Sequence, residues 1–141
     1  MAIVLAVDGR KRALNAYMRN LNTNIQFNYH LYSNNFVPTD AMVIGDFTEN
    51  TFPGYASQSV VAAGWSSPAD DGTCSSTSAA SQVYTATGAS SQSAYGYYVT
   101  DNADGALLFA ELFTGGPVPL STTGSSVTVI PQYQERTGAP C

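Results

Sequence analysis

Apolar residues follow two different periods along the first quarter of the chain. Leu14, Tyr17, Met18 and Leu21 recur at the i, i+3, i+4, i+7 spacing that places side chains on one helical face. Over residues 24–32 the apolar side chains alternate with polar ones, which is typical of a strand with one buried face. We therefore predict a short amphipathic helix over residues 9–20, capped by Asp8, and then a strand.

The clearest hairpin signal lies in the second half of the chain. Apolar segments at 93–100 and 106–113 flank a five-residue polar turn, and the Asp-Gly pair in it tolerates positive φ angles. The predicted turn residues are Asp101, Asn102, Asp104 and Gly105. The turn lacks the alternating oxygen ligands and the distal Glu of a calcium loop, so turn geometry is the favoured interpretation.

The rest of the chain shows short extended segments separated by turn residues. We expect a short strand over 41–47, a long polar surface loop over 66–80, and a last strand that Pro131 ends or places at an edge. The predicted fold class is all-β, an antiparallel β-sandwich resembling a jelly roll, with a short N-terminal helix. The predicted parts are an N-terminal arm (1–24), a β-sandwich body (25–134) and a C-terminal tail (135–141).

The charges are distributed unevenly. Four of the five basic residues fall between positions 10 and 19, and the net charge of −5 argues against a nucleic-acid partner. We hypothesise that this segment is a docking arm whose basic turn meets carboxylates of another copy or of a shell protein. The alternative is a solvated basic face on a short helix. The candidate partner-binding residues are Arg10, Lys11, Arg12, Leu14, Tyr17, Met18 and Arg19.

The start of the chain does not have the pattern of a signal peptide, because its short apolar run precedes the positive charges. No stretch approaches the roughly 18 apolar residues of a membrane span, so no membrane partner is expected. Cys74 and Cys141 lack zinc-site spacing, and we expect both to be free thiols.

Few residues suggest chemistry. His30 is the only histidine and falls on the polar side of its strand, as a lone surface or interface residue would. Cys74 has no basic neighbour in sequence to activate it. Asp46 and Glu49 can pair as acid and base, as two carboxylates do in glycosidases, but a turn role for Asp46 is favoured. We expect no enzyme activity, cofactor or metal.

Two blocks, residues 31–56 and 95–120, carry a resemblance to a known group of proteins. The first reads LYSNNFVPTDAMVIGDFTENTFPGYA and the second YGYYVTDNADGALLFAELFTGGPVPL. The matching residues of the first block are Leu31, Tyr32, Asn34, Asn35, Pro38, Asp46, Phe47, Thr48, Glu49, Phe52, Gly54 and Tyr55. Those of the second are Gly96, Tyr97, Val99, Thr100, Asp101, Gly105, Leu107, Leu108, Ala110, Glu111 and Phe113. The pattern resembles small structural proteins of tailed bacteriophages.

The resemblance implies a virion protein that assembles in the host cytoplasm. Within that class we expect a capsid decoration (cement) protein on the capsid surface, a homotrimer that binds the major capsid protein and stabilises the shell. One alternative is a tail, head–tail or baseplate component. Another is a receptor- or carbohydrate-binding tip that uses Trp65, Tyr95, Tyr97 and Tyr98 to stack on a sugar, unless these aromatic side chains belong to the core.

Overall fold

A computed structural model describes residues 3–12, 26–70 and 74–136, and these form antiparallel sheets with little helix. The prediction of an all-β fold is confirmed. The strands of the described residues are β1 (Val4–Leu5), β2 (Phe27–Tyr32), β3 (Gln58–Val60), β4 (Ala69–Asp70), β5 (Cys74–Ser78), β6 (Gln82–Thr85), β7 (Ser93–Ala94), β8 (Gly96–Asp101), β9 (Leu107–Leu112), β10 (Val118–Pro119), β11 (Ser126–Val129) and β12 (Gln132–Arg136).

The largest sheet has the order β1-β9-β8-β2-β3, and its neighbouring strands are antiparallel. The predicted hairpin is confirmed, because β8 and β9 pair directly across the turn that contains Asp101 and Gly105. Gly105 has a φ of 74°, a conformation that glycine adopts without the strain of a Cβ. The hairpin therefore forms the centre of the sheet, where β8 is buried along its whole length.

The central sheet is covered on both faces. Its first face carries Tyr29, Leu31 and Val99 in a large apolar cluster that also takes in β6, β11 and Leu120. Its second face carries Tyr32 and Tyr98 in a smaller cluster. The expectation that β2 has only one buried face is therefore wrong. Tyr32 sits on the side predicted to be polar, and it is fully buried.

Three two- and three-stranded sheets complete the described fold, in the pairings β10-β7, β11-β6 and β12-β5-β4. The predicted surface loop over 66–80 contains β4 and β5, so that expectation is wrong. The small polar residues of β5 show no apolar alternation that would predict a strand, but the β5 backbone pairs with β12 and with β4. The predicted strand at 41–47 is also wrong, because Ile44–Asp46 form a 3-10 turn.

The N-terminal segment is attached to the body through its backbone. β1 pairs with β9, and residues 7–12 are helical, so Asp8 lies inside the helix and does not cap it. Ala6 is buried in the second-face cluster. Residues 4–12 therefore pack on strands of the predicted body, and β12 extends to Arg136, two residues into the segment predicted as the tail.

Close packing of the helix on the sheet depends on one glycine. A Cβ on Gly9 would overlap the backbone carbonyl of Leu108 in β9. The remainder of the predicted helix lies outside the described residues, and so do four candidate docking residues, Leu14, Tyr17, Met18 and Arg19. Cys141 also lies outside them, and the side chain of Cys74 is not described.

Candidate functional site

The densest group of polar side chains on the second face is centred on Glu49. Its Oε1 accepts a hydrogen bond from the Tyr55 hydroxyl at 2.8 Å and lies 2.8 Å from Nδ1 of His30. Its Oε2 accepts a weaker bond from the Tyr98 hydroxyl at 3.3 Å. One carboxylate thus connects β2, β8 and the loop that precedes β3, and we call His30, Glu49, Tyr55, Tyr98 and Thr100 the Glu49 cluster.

The loop that presents Glu49 is held by the side chains of Asn34 and Asp46. The Asn34 amide donates to the Asp46 carbonyl and accepts from the Thr48 N–H, both at 2.8 Å. The Asp46 carboxylate accepts from the Val43 N–H at 2.8 Å. The interpretation of Asp46 as a turn residue is confirmed, and these contacts are separate from those that Glu49 makes.

His30 links Glu49 to the sheet. Its Nε2 lies 3.1 Å from the Thr100 hydroxyl, and its ring stacks on Tyr98 with centroids 4.7 Å apart. The expectation of a lone surface residue is wrong, because the His30 side chain is only 14% exposed and has a partner at each nitrogen. The His30 ring lies on the predicted polar side of β2, and the loop at 34–49 covers that side.

The order carboxylate, imidazole, hydroxyl is the one that activates hydroxyl nucleophiles in some enzymes. In this protein the hydroxyl belongs to Thr100, which is in the central strand β8 and is 4% exposed. A substrate would have to displace the surrounding residues to reach it. The geometry is therefore that of a structural clamp between the loop and the sheet.

Electrostatics favour the ionised form of Glu49. Partial burial alone would raise the pKa of its carboxyl, but hydrogen bonds from His30, Tyr55 and Tyr98 and the charge of His30 outweigh that effect and hold the pKa below its ordinary value. Burial, together with the neighbouring carboxylate, raises the pKa of Tyr55 and of Tyr98 far above the ordinary value for tyrosine. Both hydroxyls therefore remain protonated donors to Glu49.

The basic residues of the hypothesised docking arm have carboxylate partners within the same chain. Arg12 bridges Asp101 and Asp104, the two carboxylates of the hairpin turn. The Asp101 side chain is 4% exposed and that of Arg12 is 18% exposed. Arg10 lies 3.7 Å from Asp40. The Arg12 guanidinium is therefore already paired within the hairpin turn, and its hypothesised intermolecular role stays a prediction.

Lys11 is the most solvent-exposed of these three basic side chains. It is 70% exposed and approaches only Asp8, at 3.9 Å. Lys11 is therefore the residue of this turn that has a charge still available to a partner. It also serves as a natural control for experiments on Arg12.

The turn carboxylates have local roles as well. Asp101 accepts the Ala103 N–H at 2.9 Å, and Asp104 accepts the Ala106 N–H at 3.1 Å. The bond from Ala106, with the contribution of Arg12, holds the pKa of Asp104 below its ordinary value. Among the described residues, no group of three or more His, Cys, Asp or Glu side chains is arranged to hold a metal ion.

The aromatic residues considered for sugar stacking are buried in the case of Tyr97 and Tyr98 and half-buried in the case of Trp65 and Tyr95. Tyr97 is 3% exposed and Tyr98 is 4% exposed. Trp65 packs on Phe27 with ring centroids 5.3 Å apart, and Tyr95 packs against the second-face cluster. The core interpretation of these side chains therefore fits the structure, and they do not form an open stacking platform.

Sequence reasoning did not predict the Glu49 cluster or the Arg12 bridge. Each joins residues far apart in the chain, 70 positions in the case of His30 and Thr100 and 89 in the case of Arg12 and Asp101. The one available signal was that Glu49, Tyr55 and Thr100 belong to the two blocks of the resemblance.

Comparisons with family models, with curated proteins and with solved structures found no match for this chain. Within the described ranges, none of the helical structure has the length and apolar character needed to cross a bilayer.

Proposed function

We propose that this chain is a structural protein of a tailed-bacteriophage particle, and within that class a capsid decoration protein that binds the major capsid protein. The observation that carries the proposal is the way the two resembling blocks fold. They supply the end of β2 and all of β8 and β9, which are adjacent strands of one sheet, and the loop that closes over its second face. The motif therefore corresponds to one structural unit.

The polar residues of the motif support a scaffold role because they bond to one another. Asn34 holds the loop that presents Glu49. The Tyr55 hydroxyl donates to Glu49 and accepts a hydrogen bond from the Leu31 N–H of β2. Residues selected for catalysis would need to reach a substrate. These instead stabilise a fixed shape, as a component of a shell requires.

The distribution of charge supports a role on a surface that meets other proteins. Residues 72–100 and 112–134 contain no Asp, Glu, Lys or Arg. They supply β6 and β11, and the exposed apolar side chains here include Val83 in β6 and Ile130 directly after β11, 48% and 67% exposed. Protein interfaces are depleted in charge at their centres, so this side of the body is suited to contact with a shell protein.

The experiment that tests the proposal is immunogold labelling of phage particles from the source of this sequence with antibody raised against the purified chain. We expect gold on intact heads, and we expect the chain to co-sediment with heads from which it has been stripped. Serum albumin in the same sedimentation gives the background. Label confined to tails would exclude the decoration role, and absence of the chain from purified particles would exclude the virion role.

A further inference from the structure

The two-stranded β6–β11 sheet has one edge that is open among the described residues. Val83 of β6 and Thr128 of β11 are opposite each other. The Val83 carbonyl points away from β11, because it accepts a hydrogen bond from the Gln58 side chain at 2.6 Å. In an antiparallel ladder, when the backbone N–H and C=O of one residue point away from the neighbouring strand, those of the residue opposite it point away as well. The N–H and C=O of Thr128 therefore face away from β6.

The same alternation applies along β11. Ser126 and Ile130 share the outward orientation of Thr128, since they lie two residues away on either side. In the described part of the chain, β11 pairs with β6 alone, and no hydrogen bond reaches the outward groups of these three residues. Gly124, with a φ of 88°, and Pro131 limit the edge to a short segment.

An open edge of this kind recognises another β-strand, because the row of donors and acceptors is satisfied by a second row. Proteins commonly protect such edges with Lys or with an inward-pointing charge. β11 has no charged residue, and neither does β6 beside it. The side chains on the exposed side are Val83, Thr85, Ser126, Thr128 and Ile130, mostly the β-branched types that favour sheet contacts.

We propose that the β11 edge binds the β11 edge of a second copy of this chain, antiparallel and about a twofold axis at Thr128. The segment is self-complementary in that register, because Thr128 meets its own counterpart and Ser126 meets Ile130 of the other copy. The pairing gives a continuous four-stranded sheet with the order β6-β11-β11-β6. It forms a dimer, in place of the trimer expected from the resemblance.

The charge distribution favours a second copy as the occupant. Each copy has a net charge of −5, so two copies repel over most approaches. The two uncharged segments, 72–100 and 112–134, supply the paired strands β6 and β11. Copies that approach through β11 therefore bring together strands that carry no charge, which limits the repulsion between them. The inference depends on the β6–β11 pair alone and does not require the proposed function.

The test is the association state of the purified full chain, measured by analytical ultracentrifugation over a range of concentrations. We expect a dimer for the natural sequence. Thr128→Pro removes the central outward N–H, which has no partner among the residues that the structure describes, and proline is tolerated at sheet edges. It should weaken dimerisation by about tenfold or more, since at least one backbone hydrogen bond is lost at each side of the axis. The matched control Thr128→Val keeps the backbone groups and should remain dimeric.

A cross-linking experiment gives an independent result that does not depend on how the proline variant folds. Cα atoms of a hydrogen-bonded antiparallel pair are about 5.5 Å apart, which suits a disulfide. Thr128→Cys should therefore form a 128–128 disulfide between copies, identified by mass spectrometry of linked peptides because Cys74 and Cys141 are also present. Thr85→Cys is the control, since β6 of one copy and β6 of the other would be about 14 Å apart.

Three results would overturn the proposal. A natural chain that remains monomeric would do so, as would a folded Thr128→Pro variant that dimerises like Thr128→Val. If Thr128→Pro does not fold, the cross-linking experiment decides. The pairing is contradicted if the 128–128 disulfide in Thr128→Cys is no more abundant than the 85–85 disulfide in Thr85→Cys. None of these outcomes bears on particle labelling, so failure here is distinguishable from failure of the proposed function.

Discussion

The two faces of the central sheet are stabilised by different kinds of contact. The first face is an apolar core, in which fully buried side chains such as Leu31 and Leu120 pack with those of the smaller sheets. The second face has a smaller apolar cluster that includes Tyr98, and Tyr98 also donates to Glu49 in the polar Glu49 cluster. The Arg12 bridge joins the N-terminal helix to the β8–β9 turn. Burial of apolar area dominates the first face, and directional contacts fix the second.

This difference explains where the charged residues are located. The second face is closed by a loop and by the N-terminal segment, both of which have limited apolar area to bury. Ion pairs and charge-assisted hydrogen bonds hold these segments in one position. The β6–β11 sheet on the first-face side has no charged residue and packs through the apolar side chains of Tyr84, Val127 and Val129.

The largest expected loss of unfolding free energy comes from substitutions that create a cavity in the core, and the loss should differ between the two faces. Leu31→Ala removes a fully buried side chain from the first face and should cost about 4 kcal/mol of unfolding free energy. Met42→Ala, in the smaller cluster of the second face, should cost about 2 kcal/mol. Urea unfolding measures both. Equal costs would mean that the second face is as much an apolar core as the first.

The next effect tests the close approach of the N-terminal helix. Gly9→Ala would force the Leu108 carbonyl and the helix apart, at a cost of about 3 kcal/mol, although alanine is the better helix former. Gly45→Ala is the matched control, since no atom lies within 4 Å of a Cβ there. If Gly9→Ala is as stable as the control, the segment does not pack on β9 as described.

The Arg12 bridge should account for a smaller loss. Arg12→Glu leaves the buried Asp101 carboxylate unpaired and adds a like charge, and we expect a loss of about 2–3 kcal/mol. Lys11→Glu, at a residue that is 70% exposed, should change stability by less than about 0.5 kcal/mol. Equal unfolding midpoints for the two variants would show that the bridge contributes little.

The smallest effect is that of the Glu49 cluster, and it depends on pH. Glu49→Gln keeps the shape but weakens the bonds from His30 and Tyr55, at a cost of about 1 kcal/mol near neutral pH. The folded-state pKa of Glu49 is below the ordinary value of 4.5, so its stabilisation is present above that value and is lost as the pH falls through the folded pKa. The stability difference between Glu49→Gln and the natural chain should therefore shrink in acid. A difference that stays constant from pH 7 to strongly acidic conditions would contradict this role.

Local sequence signals predicted the hairpin but not the second face. The turn at Asp101–Gly105 and the alternation of β2 are readable because the relevant residues are neighbours in sequence. The role of His30 was not readable, because it depends on a loop folding back over the sheet. The strand at Cys74–Ser78 was missed for a related reason: its Ser and Thr side chains show no apolar alternation, and its pairing with β12 spans more than fifty residues.

The most direct test of the central claim is a cryo-EM map of phage particles from the source of this sequence. The account predicts density for this chain on the capsid, with the uncharged β6–β11 side in contact with protein and the Arg12 bridge intact within each copy. It also predicts that neighbouring copies, where they touch, meet through β11. A map without this chain, or one in which the basic helix at residues 7–12 makes the contact while β11 faces solvent, would contradict it.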